Sequence, residues 1–388
     1  MTEERLNELI WEVVSKQVHT NTEVMQEIAR ELSVYFASNS SSIDANNINY
    51  QLIEETLKKR QNEILSNISH LTWSVSIASY EDTKDLYKSV GKKQLPFEDN
   101  FDIIKKTSDI EKRTRLTYSS FMDKASIMTR NSNGILIPMS IKDAIHNVIQ
   151  SAKSSISAGK NKFIVFRNKL LELANSGIRI AISNGKKLIK SRRIDIALNQ
   201  ELNLACRDMQ LGVFNVVGEQ ISANGVEISA HIFPAPDHAP VQGHQFTNDN
   251  FERMQSGLDF SDVEGHHYNG FERPIYGINC KHVTKPIIVG LTPQRYSEKQ
   301  LQTILMQNDK GYTLSNGVHK TMYECTQIQR RLEVEIRKIK TSMLLANNVG
   351  DKDLYNKLKA DLAQKISQYY LFTQQTGLPL KLERLEII

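Results

Sequence analysis

Apolar residues recur three and four positions apart through most of the chain, the spacing that puts them on one face of a helix. Leu6, Ile10 and Val13 open the pattern. Thr20 and Glu23 then match a capping box ahead of Val24, Ile28, Leu32 and Tyr35. The polar stretch SNSSSIDANNIN predicts a loop. Ile53, Leu57, Ile64, Ile68, Leu71 and Val75 mark the next long helix, broken by GKKQLPFEDN, and NSNGILIP predicts another turn. Helical spacing resumes near Ser140, with interruptions near Gly159, Gly177 and Gly185, and runs on through RIDIALNQELNLACRDMQLG to about Gln220.

The texture then changes. VEISAHIF (226–233) alternates and is β-branched, which predicts a strand. The stretch from this strand through the loop-rich segment that ends in KPIIVGLTP holds six of the ten histidines: 231, 238, 244, 266, 267 and 282. Helical periodicity returns after Ser297. Cys325, Ile328, Leu332, Ile336, Ile339 and Met343 form one stripe, Gly350 and Asp351 predict a hairpin turn, and Leu354, Leu358, Leu362 and Ile366 line the returning helix. The fold class expected is α+β, predominantly α-helical, with long helices flanking a small loop-rich α+β unit. The expected organisation is a helical region over 1–215, the small unit over 216–296 and a helical hairpin region over 297–388.

Charge sharpens this picture in one place. The net charge is +5, but residues 141–195 hold twelve Lys or Arg against three Asp or Glu, a local net of +9. GKKLIKSRRID gathers Lys186, Lys187, Lys190, Arg192 and Arg193, with Lys160, Lys162, Arg167 and Lys169 upstream. Such a surface attracts phosphate backbones without reading bases, and no sequence-reading motif accompanies it. The competing reading is a solvated helix face balanced by acidic neighbours. The charges of QRRLEVEIRKIK flank an apolar stripe and predict a packed amphipathic helix. No apolar run reaches membrane-spanning length, the amphipathic acidic start is unlike a signal peptide, and three scattered cysteines make no disulfide framework.

The candidate chemistry lies around GINCKHVTKP (277–286). His231, His238, Cys280 and His282 offer the nitrogen and sulfur donors that zinc prefers, though their spacings match no usual zinc motif. Cys280 beside a histidine also has the makings of a thiolate–imidazole pair. The third reading is a hydrogen-bonded corner. There, Asn279 holds a turn, Cys280 packs as a small apolar body and the histidines donate to loop carbonyls. The corner is the reading adopted, with no cofactor required.

The order of these signatures resembles the phage minor capsid protein 2 family, relatives of MuF-like head morphogenesis proteins. The residues that carry the resemblance are ISAH (228–231), DHAPVQGHQF (237–246), YGINCKH (276–282) and QRRLEVEIRKIK. They place His231, His238, Gln242, Gly243, Asn279, Cys280 and His282 in the family motif. Val241, His244 and Lys281 depart from it, standing where Trp, Lys and Arg are common. The resemblance implies a non-enzymatic minor head protein of a tailed phage virion, made in the host bacterial cytoplasm. Its implied partners are the portal, the inner capsid and packaged double-stranded DNA. The MuF comparison also raises an ADP-ribosyltransferase-like alternative, with His231 ending the key strand. Glu264 and Glu272 lie in loops, where they give it no catalytic carboxylate. A free-standing nonspecific nucleic-acid-binding protein is the other alternative.

Overall fold

The computed structural model describes residues 3–37, 48–130, 133–183, 188–270, 273–277 and 280–387. It is predominantly helical α+β, as the periodicity predicts. Two compact units are each built from three separate stretches of chain. One comprises Met1–Ile10, Ile68–Arg115 and Gln200–Ile328, the other Trp11–Asn67, Leu116–Asn199 and Gln329–Ile388.

The chain begins with α1 (Glu3–Ala37), α2 (Tyr50–Lys58), α3 (Gln61–Glu81), α4 (Lys84–Ser89) and α5 (Phe101–Asp123). Helix α1 runs unbroken through Thr20, so the expected capping box does not form. The Thr20 hydroxyl instead donates to the Lys16 carbonyl one turn earlier, 3.0 Å away. Most of the predicted Ser/Asn loop lies outside the described residues. Asn49, at its end, caps α2 by accepting from the Leu52 amide at 3.0 Å.

Next come β1 (Ala125–Arg130), β2 (Leu136–Ser140), α6 (Ile141–Ser157), α7 (Lys162–Ser176), β3 (Arg179–Ser183) and β4 (Leu188–Arg193). The four strands form an antiparallel sheet in the order β2-β1-β3-β4, where the sequence pattern read as largely helical. Strand β1 has four consecutive buried residues, Ser126 to Thr129, a run too short for periodicity to separate strand from helix. Helix α6 buries Ala144, Ile145, Val148, Ile149 and Ala152 and packs on β1. The basic tract is therefore partly strand β4, not a helix face.

The remaining elements are α8 (Ile194–Ile221), β5 (Gly225–Ile228), β6 (Gln245–Thr247), α9 (Asn248–Gln255), β7 (Phe260–Ser261), β8 (His267–Tyr268), β9 (Thr284–Ile287), α10 (Glu298–Lys310), β10 (Tyr312–Thr313), β11 (His319–Lys320), α11 (Met322–Asn348) and α12 (Lys352–Thr376). Strand β5 is the centre of a small sheet ordered β6-β5-β9. Gly225 starts it because an added Cβ would meet the Phe246 carbonyl oxygen at 2.5 Å. Under this sheet lies a core of Ile228, Val241, Phe246, Met254, Phe260, Ile275 and Cys280. Each fully buried aliphatic or aromatic side chain there contributes about 1.5–3 kcal/mol. A neighbouring core joins Tyr80, Tyr87 and Ile103 to Val213, Phe214, Val217 and Ile221 of α8.

In the other unit, α11 and α12 form the predicted hairpin. Gly350 turns the chain at φ +71° and the Asp351 carboxylate caps α12 by accepting from the Leu354 amide.

Candidate functional site

The strand predicted over 226–233 ends at Ile228, five residues before that prediction does. Beyond it the backbone leaves the sheet and is held by side chains. The His231 amide donates to Gln242 Oε1 at 2.9 Å, and the Ser229 hydroxyl accepts from the Val283 amide at 3.1 Å. The Gly243 amide donates to the Ile228 carbonyl at 2.9 Å, so the returning chain re-enters the sheet at His244. Gly243 has φ +77°, and a Cβ there would sit 2.3 Å from Leu301 Cδ2, so both conformation and space require glycine. Val241 fills the core position where the resembled family commonly has Trp, and it is 1% exposed.

The structure brings His231, His238, Gln242, Cys280 and His282 together; Asn279 lies outside the described residues. The His231 and His282 rings stack at 4.5 Å with 14° between planes, and His238 lies 5.4 Å from His282, tilted by 43°. His238 is buried and its Nε2 donates to the Arg273 carbonyl at 2.9 Å. Burial would lower the His238 pKa, but its bonds to Cys280 and Arg273 outweigh that and raise it. Burial would likewise raise Cys280. The hydrogen bond from His238 and the backbone groups of Tyr276 and His282 hold it below its ordinary value instead. Cys206 shows the contrast: burial alone pushes that thiol up to about 12.

Residues not singled out from the sequence complete the corner. Arg207 of α8 donates to the Tyr276 carbonyl at 2.9 Å and reaches the Cys280 carbonyl at 3.5 Å. Tyr276 adopts φ +73°, unusual for a bulky residue, and its hydroxyl is hydrogen-bonded to Thr284. Asp237 and Arg273 form a two-bond pair at 2.5 and 2.6 Å. Chemically, the corner is a polarised thiol–imidazole contact sealed in protein, since Cys280 is 8% and His238 2% exposed. Among the described residues, the donors close enough to share an ion are a different set, His244, Glu264 and His266. Glu264 sits exposed in the turn after β7, and Glu272 lies outside the described residues.

The basic segment is divided in use. Arg193 is not displayed for phosphate: its guanidinium pairs with buried Asp195 at 3.2 Å. Burial would raise Asp195, but Arg193 and Arg337 outweigh it and hold the carboxyl below its usual range. Arg167 makes two bonds to Asp351, at 2.7 and 2.6 Å, and Lys169 pairs with Glu172 at 3.0 Å. These cations balance carboxylates of their own unit. Arg192 is half-buried on β4 and Lys160 is exposed ahead of α7. Lys186, Lys187 and the side chain of Lys190 lie outside the described residues.

The helix of QRRLEVEIRKIK is packed as predicted, but three of its polar residues are inside. Gln329, Glu333 and Arg337, four apart on α11, are 4%, 4% and 7% exposed. Gln329 donates to the Pro379 carbonyl at 2.8 Å and Tyr369 donates to Glu333 at 3.4 Å. Arg337 donates to the Arg384 carbonyl and lies over the Trp11 ring, 5.5 Å from its centroid. Burial, only partly offset by Arg384 and Arg337, raises the Glu333 carboxyl.

No helix among the described residues is long and apolar enough to cross a membrane. No curated protein and no solved structure matches the chain. The family model described as Phage minor capsid protein 2 matches residues 1–372 of the 388. With its motif residues His231, His238, Gln242, Gly243, Cys280 and His282 gathered into one corner, the chain belongs to the phage minor capsid protein 2 family, structural proteins of the phage head.

Proposed function

We propose that this chain is a non-enzymatic structural protein of the inner head, docked on the portal and in contact with packaged double-stranded DNA. The observation that carries this reading is the family match over nearly the whole length. Sealing of the Cys280–His238 contact supports a structural use of the corner, since a bond-making thiol needs a substrate to reach it. Phe163 and Ile164, 82% and 58% exposed at the start of α7, supply apolar surface for a protein partner. Lys186, Lys187, Lys190 and Arg192 supply nonspecific attraction for phosphate; Arg193 is left out because Asp195 holds it. Synthesis in the host cytoplasm fits three reduced, buried cysteines.

Co-purification with the portal oligomer in moderate salt is the test of docking. Retention of the wild type and failure of Phe163→Asp to co-purify support the reading, and a chain that ignores the portal contradicts it. For DNA, changing the four cations to Ala is expected to flatten the logarithmic salt dependence of binding, by up to about 0.9 for each phosphate no longer neutralised. Unchanged affinity would remove this tract from the mechanism.

A further inference from the structure

Three residues outside the family corner, His244, Glu264 and His266, come together, and the first two line a cleft of about 230 Å³. His244 precedes β6, whereas Glu264 and His266 lie in the turn joining β7 to β8. One donor atom from each lies within 4.8 Å of the other two. Glu264 and His266 are about half exposed, so small rotations bring these atoms to the roughly 2.0–2.2 Å bond lengths of zinc.

A second observation points the same way. His244 lines the cleft and is only 8% exposed, yet its buried Nδ1 makes no hydrogen bond. It lies 3.2 Å from Asp262 Oδ2, but that oxygen already accepts from His266 Nδ1 at 2.8 Å and from the Tyr268 hydroxyl at 2.9 Å. A buried imidazole nitrogen left in this way is costly, and ligation offsets the cost. Asp262 also accepts from the His266 amide at 2.9 Å, so its carboxylate is fixed in place beside both rings. A carboxylate so placed sets tautomer and ring direction in metal sites.

We propose that His244, Glu264 and His266 bind a zinc ion, with Asp262 orienting the His266 imidazole through Nδ1 and one coordination position facing the cleft. Two imidazoles and one carboxylate suit a borderline ion; calcium and magnesium take oxygen-rich sets. Thr292 and Gln294, which also line the cleft, give a water or small polar ligand on the open position something to bond. Bound zinc fastens the β7–β8 turn to the start of β6, reinforcing the main-chain bond from the Val263 amide to the Gln245 carbonyl. The site is distinct from the Cys280 corner.

The test uses the full chain, stripped with chelator and equilibrated with zinc chloride alone. The wild type is expected to retain a single zinc ion per chain by elemental mass spectrometry and to melt at a higher temperature with zinc. Cobalt in its place is expected to give visible d–d bands. His266→Gln and Glu264→Gln alter exposed side chains, so the fold survives them, and each is expected to weaken zinc binding about tenfold or more. Cys280→Ser is expected to leave binding unchanged. No saturable uptake by the wild type would overturn the proposal, as would undiminished uptake by His266→Gln. Loss of zinc in Cys280→Ser with retention in His266→Gln would also overturn it, by placing the ion at the other cluster.

Discussion

In the corner after β5, buried imidazoles and a thiol stabilise irregular backbone. His238 serves the Arg273 carbonyl, Gln242 the His231 amide and Arg207 the carbonyls of Tyr276 and Cys280. On α11 the backbone satisfies itself, and the buried groups Glu333 and Arg337 carry or can carry full charge. Arg337 is set against Asp195, which Arg193 also holds. The loop module thus uses polar side chains to fix a path, and the helical one uses them to compensate one another. Removing a member should cost a hydrogen bond in the first and strand a buried charge in the second.

That contrast predicts a ranking. Arg337→Leu is expected to destabilise by about 3–5 kcal/mol, because Asp195 loses a compensating charge in a buried site. Denaturant unfolding checks it. A single-variant cost below about 1 kcal/mol would break the comparison on the helical side. Gly243→Ala comes next, at about 2–3 kcal/mol, since it meets both a left-handed backbone and Leu301. Leu301→Ala in the same chain should remove the steric part and leave the conformational part. His238→Ala is expected to cost about 1–3 kcal/mol by leaving the Arg273 carbonyl unsatisfied.

The pH dependence of stability follows from the same pairs. Asp195 and Asp351 are held below the usual carboxylate range by Arg193 and Arg337 and by Arg167. A depressed folded pKa contributes stability that is present above the unfolded value, about 3.9, and is lost as pH falls through the folded one. Unfolding measured from pH 6 downwards should therefore show loss beginning near about pH 5 and deepening as pH falls, and Arg167→Gln should reduce its slope. Raised His238 has the opposite sign: its contribution is complete below about pH 6.5 and is lost as pH rises through its folded value.

Sequence periodicity made the long helices legible because each buries one stripe. It missed the β2-β1-β3-β4 sheet, whose short apolar runs carry no period of their own. It also turned Gln329, Glu333 and Arg337 outward, since pattern reading takes charge as exposure and cannot see Asp195 arriving from far along the chain. At the corner the motif spacing marked His231, His238, Gln242, Cys280 and His282, which do meet. Arg207 was invisible there, an ordinary helix arginine by pattern, and Tyr276, which opens YGINCKH, shows its part only in its backbone angle. The His244 cluster escaped for a similar reason, because its members are joined by a turn that sequence does not fold.

The most direct test of the corner is the assembly of phage heads with Cys280→Ala, scored per folded molecule at a temperature where the variant is folded. Alanine keeps a small apolar body and removes the thiol. If the corner only fixes the path of the chain, stability falls by about 1 kcal/mol and folded protein is incorporated like the wild type. A variant of undiminished stability that enters heads poorly, or enters and leaves them inactive, would show that the thiol does chemistry and would contradict the account.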